Sequence, residues 1–183
     1  MAAYHVVLVH FPIALWITAT LAILWRAISD GPVAKAIDRA MIPLLAVGLA
    51  FGLIAVAVGL MVWPWEAIST SPMGRNHILL AVWTVSYWTL MLVTRWVQGE
   101  ALWDGPGRWV MAGLAVLGSG LLGITGTLGG HLAGIYTELS QVLRTLGWEV
   151  HRTFYVPDMT LAILAAATVA LLMIGWMARR RES

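Results

Sequence analysis

Five apolar segments, each long enough to cross a lipid bilayer, constrain this chain more than anything else in it. A transmembrane helix needs about 20 mostly apolar residues. Such segments run from His10 to Ile28, Met41 to Trp63, His77 to Val97, Arg108 to Gly130 and Met159 to Ala178. Only 11% of the 183 residues are charged, against 60% hydrophobic. That balance excludes a soluble enzyme, a nucleic-acid reader and a disordered chain. The absence of cysteine excludes disulfides, thiolate metal sites and covalently attached c-type haem.

The expected fold is an all-α integral membrane protein: a four-helix transmembrane bundle of two repeated hairpins, followed by a fifth transmembrane helix. The four-helix membrane domain covers residues 1–135. An outer loop covers 136–158, and Ile135, Leu139, Val142, Leu143 and Leu146 within and beside it are spaced as on a surface helix. The fifth span and a basic tail cover 159–183. Arg26, Lys35, Arg39, Arg95, Arg108, Arg179, Arg180 and Arg181 fall at one set of span ends, and only Arg75, Arg144 and Arg152 at the other. The positive-inside rule then puts the N-terminus outside and the C-terminus in the cytoplasm, in a bacterial inner membrane. Trp25, Trp96, Trp103, Trp109 and Trp176 near one interface, with Trp63, Trp65 and Trp148 near the other, read as aromatic belts.

All five histidines lie at the outer ends of the spans. His5 and His10 open the first, His77 the third; His131 closes the fourth and His151 precedes the fifth. A repeat is expected to relate the hairpins. His10 and His77 stand at equivalent starts, GLAFGLIAVAVG from Gly48 matches GLAVLGSGLLG from Gly113, and the same offset carries Glu66 onto His131. Proline suits a first helical turn, so Pro12 predicts a regular helix starting near Phe11. Should the helix run back to His5, five residues would turn it by about 140° and point His5 and His10 at different neighbours.

HVVLVHFPIAL near the start and GITGTLGGHLAG in the fourth span resemble an uncharacterised family of bacterial predicted membrane proteins. Its members carry a similar His-Phe-Pro-Ile-Ala opening and a late Gly-Gly-His element. The resemblance covers about residues 5–135. It implies a four-helix membrane domain with histidines at one edge, and no activity.

Ionisable groups at the edge of a membrane bundle point to function. Noncovalent b-type haem takes axial imidazoles from facing helices, so His10, His77 and His131, with His5 as a weaker candidate, are expected to bind one or two haems. Arg75 and Arg152 would pair with propionates. Such a protein is an electron carrier rather than a catalyst. It would be a subunit among other membrane subunits of a respiratory or photosynthetic complex, exchanging electrons with a periplasmic cytochrome or cupredoxin, or with quinone. The alternatives are a copper, iron or zinc ion held by His10, His77, His131 and Glu66, and a non-redox accessory subunit. Mid-span polar groups are hydroxyls only, which argues against a transport path.

Overall fold

The computed structural model describes residues 1–149 and scattered positions between 159 and 177. The described part of the chain is helical, with elements α1 (Ala2–Ile28), α2 (Pro32–Arg39), α3 (Met41–Gly59), α4 (Trp65–Thr70), α5 (Pro72–Gln98), a 3₁₀ turn (Gly99–Trp103), α6 (Gly107–Leu132) and α7 (Leu139–Thr145). Four stretches are long and apolar enough to cross a membrane: 2–28, 32–59, 72–103 and 107–132. The fifth expected span, the basic tail, His151 and Arg152 lie outside the described residues, apart from the scattered positions.

The first helix corrects the expectation drawn from Pro12. It does not begin near Phe11; α1 runs unbroken from Ala2, with Pro12 buried inside it. In hydrocarbon every backbone group must be satisfied within the chain, so continuing the helix through a proline costs less than unwinding the turns ahead of it. The other boundaries follow local chemistry. Ser71 caps α5 by accepting a hydrogen bond from Gly74 N at 3.3 Å, with Pro72 at the first helical position. Gly134, at φ +78°, ends α6 while Ile135 N returns to the Gly130 carbonyl at 2.8 Å. The surface helix expected over 135–146 is realised as α7, which buries Leu143.

Helix α1 packs on α3 and α6, and α5 packs on the same two. Hence α1 and α5 occupy one diagonal of the bundle, and α3 and α6 the other. The centre is a stacked indole pair, Trp16 and Trp88, 5.3 Å apart and 4° from parallel. Each indole lies against glycine of the helix following its own: Trp16 against Gly48 and Gly52, Trp88 and Tyr87 against Gly118.

These contacts relate the two hairpins at a register other than the one expected. His5 and Trp16 match His77 and Trp88, both 72 residues on. Buried Met41, Leu45 and Gly48 match Met111, Ala115 and Gly118, each 70 residues on. The pairing of His10 with His77 and of Gly48 with Gly113 does not hold: Gly113 has open space where a side chain would be. Small apolar runs resemble one another at many offsets, whereas an indole seated on a glycine allows only one.

The edge away from the histidines is held by charge. Arg95 makes a bidentate pair with Asp38 at 3.0 and 2.8 Å, both side chains buried. Asp30, in the turn between α1 and α2, is bonded by Arg26 and by Arg108 at 3.1 Å. Arg26 also lies 5.2 Å over the Trp103 ring. Trp103 is therefore core rather than interfacial belt, as is Trp148, whereas Trp25, Trp63, Trp65, Trp96 and Trp109 are exposed.

Candidate functional site

Two histidines on the diagonal helices are held in the same way. His5 Nδ1 donates to the carbonyl of Ala55 at 3.0 Å, and its ring lies on Gly59, where a Cβ would come within 2.8 Å of Cε1. His77 Nδ1 donates to the carbonyl of Thr125 at 3.1 Å, and its ring lies on Gly129, where a Cβ would come within 2.9 Å. In each case the accepting carbonyl stands four residues before the glycine, one helical turn below it. The glycine removes the side chain that would occupy the ring's place, and the carbonyl turn below fixes its tilt.

The hydrogen bond sets the tautomer. An imidazole that donates through Nδ1 carries its lone pair on Nε2. This is the arrangement found in metal-ligating histidines, whose second nitrogen is bound to a carbonyl or carboxylate. His5 and His77 each begin a diagonal helix at the same edge, 11 residues (about 16.5 Å) above Trp16 and Trp88. Below His77, Thr84 and Thr125 join their hydroxyls at 2.8 Å, and Thr125 donates on to Leu121 O. The equivalent positions under His5 are Pro12 and Ala55, so the second cradle is polar and the first apolar.

The other candidates lie elsewhere at that edge. His10 is exposed on the outside of α1, its Nδ1 bonded to Val6 O of its own helix at 2.6 Å. His5 and His10 thus face different neighbours. His131 is buried at the end of α6, on the far side of that helix from His77, with its ring edge-on to Tyr136 at 4.8 Å. Glu66 is exposed on α4. Arg75 is exposed beside a groove lined by Trp65, Ser69, Ile78, Leu79 and Val82. Among the described residues, no three of His, Asp and Glu gather as a metal site.

The pairing of His5 with His77 was not the first expectation, which favoured His10. A signal for it exists in the chain: His-x10-Trp occurs twice, at His5–Trp16 and His77–Trp88. The edge itself was correctly read, since His5, His10, His77 and His131 all stand at it.

The profile of a family described as a predicted membrane protein (DUF2231) matches residues 2–137, and the chain belongs to that family. No curated protein and no solved structure matches it significantly.

Proposed function

We propose that this membrane protein is a b-type haem electron carrier whose axial ligands are Nε2 of His5 and of His77. The observation that carries the reading is the matched cradle. Two imidazoles from opposite helices each give Nδ1 to a carbonyl, lie on a glycine and keep Nε2 as the lone-pair nitrogen. Haem supplies a one-electron couple, and two imidazoles on its iron leave no open position, so the role is transfer rather than catalysis.

In this reading, one ligand comes from each hairpin and the electron enters and leaves at the histidine edge. The positive-inside bias puts that edge outside, facing a periplasmic cytochrome or cupredoxin, or quinone in the bilayer. His10 and Glu66 have no part in it.

The test is a dithionite-reduced minus oxidised absorbance spectrum of protein made with ample haem supply. A sharp α-band that is lost in His5→Ala and in His77→Ala, and kept in His10→Ala, is expected. A featureless spectrum overturns the proposal. Elemental analysis of the same sample distinguishes the alternative of a copper ion between the two Nε2 atoms, which would give metal without the band.

A further inference from the structure

Helix α2, at the edge opposite the histidines, turns its one acid inward and its two bases outward. Ala34 and Asp38, one turn apart, are buried against the bundle, and the Asp38 carboxylate is taken up by Arg95. Lys35 and Arg39, also one turn apart and so on a common face, are exposed, together with Val33 and Ile37. Among the described residues neither base makes an ion pair or a side-chain hydrogen bond. Of the other acids at this edge, Asp30 is bonded by Arg26 and Arg108, and the exposed Glu100 and Asp104 pair with neither Lys35 nor Arg39.

Depth decides what can answer those two charges. Arg95, the partner of Asp38, follows Trp88 by seven residues along α5, which is about 10.5 Å from the middle of the bundle. The hydrocarbon core extends about 15 Å to each side of its centre. The Arg39 end of α2 therefore lies close to the hydrocarbon boundary. There a long basic side chain keeps its stem in apolar surroundings and carries its charge outward to the level of the lipid phosphates.

We infer that Lys35 and Arg39 together bind the phosphate of an anionic phospholipid in the leaflet at this edge, with Val33 and Ile37 against its acyl chains. The argument is charge complementarity: two cations about 6 Å apart hold one phosphate from both sides. A zwitterionic head brings its own ammonium, which competes for that phosphate, whereas an anionic head does not, so the site selects by net charge. Because Asp38 ties α2 to α5, a lipid held on α2 also steadies the contact between the two hairpins. The inference stands on these residues alone and is independent of the haem reading.

The test is thermal unfolding of the full chain in a non-ionic detergent, titrated with dioleoylphosphatidylglycerol or dioleoylphosphatidylcholine. A saturable rise in Tm is expected with the first lipid, and apparent binding about tenfold weaker or more with the second. Lys35→Gln combined with Arg39→Gln should weaken the response to phosphatidylglycerol by about tenfold or more. Lys35→Arg combined with Arg39→Lys should retain it, as should Arg144→Gln on an exposed residue at the histidine edge. Should the double Gln variant fail to fold, Arg39→Gln alone decides, with an expected loss of about fivefold. Equal responses to the two lipids, or a Gln variant that responds as the wild type does, overturn the site. An equal loss in Arg144→Gln overturns its location. Glycerol 3-phosphate without lipid should leave Tm unchanged, and a rise matching that from phosphatidylglycerol overturns the assignment to lipid.

Discussion

Trp16 lies on Trp88 with the two rings 5.3 Å apart and 4° from parallel, so the hairpins meet through equivalent residues at the middle of the bundle. Both indoles are almost fully buried, at 2% and 0% exposure. Replacing either by alanine should cost about 3–5 kcal/mol, the usual range for a buried aromatic. Thermal unfolding in detergent checks this, and Trp16→Ala and Trp88→Ala should be strongly non-additive, because each removes the other's partner.

Gly59→Ala and Gly129→Ala should each expel one imidazole from its seat, since the new Cβ would stand 2.8 or 2.9 Å from the ring. Overpacking of this kind costs about 1–3 kcal/mol. The expected readout is a protein that still folds but has lost or shifted the α-band. Gly113→Ala, which meets open space, should change neither stability nor spectrum.

Asp38→Asn should destabilise by about 3–5 kcal/mol, because it strands Arg95 as a buried charge without its counter-ion. Asp38→Leu combined with Arg95→Met should recover most of that loss. A double-mutant cycle on thermal stability measures the coupling.

Asp30 links α1 to α6 by accepting from Arg26 and Arg108, and these two guanidinium groups hold its carboxyl below the ordinary value of 3.8. A lowered folded-state pKa means stability that is present above the unfolded value and lost as pH falls through the folded one. The stability difference between wild type and Asp30→Asn should therefore be flat near neutrality and shrink only at acid pH below about 4. A difference that changes between pH 6 and 8 would contradict the assignment. The Asp30 carboxylate is solvent-exposed while Arg26 is buried, and added salt should reduce the difference mainly through the Arg108 pair.

The orientation expected from the Lys and Arg bias is open to direct labelling, because the chain has no cysteine of its own. Trp65→Cys, on the histidine edge, should react with an impermeant maleimide added outside spheroplasts. Lys35→Cys, on the opposite edge, should react only after lysis.

Much of the architecture could be read from the chain. Length and hydropathy found the four described spans, and the histidine positions identified the edge at which the candidate site stands. The site's composition was less legible, for a physical reason. Pro12 suggested a helix start, and in water the chain would have had that freedom; surrounded by hydrocarbon it did not. With the start misplaced, His10 took the position that His5 occupies. The repeat was likewise found in outline and misregistered, because runs of Gly, Ala, Leu and Val match at several offsets. Trp103 and Trp148 looked interfacial by position, whereas the folded chain buries them; no spacing rule separates a belt tryptophan from one beneath an arginine.

The exchange of contacts between hairpins has a consequence for biogenesis. The first hairpin leaves the insertion machinery with one face of Trp16 bare and Asp38 still without its arginine, and both are satisfied only by α5. A ribosome-bound chain halted before Trp88 and Arg95 emerge should therefore be a substrate for membrane quality control, and the second hairpin acts in effect as the first one's chaperone.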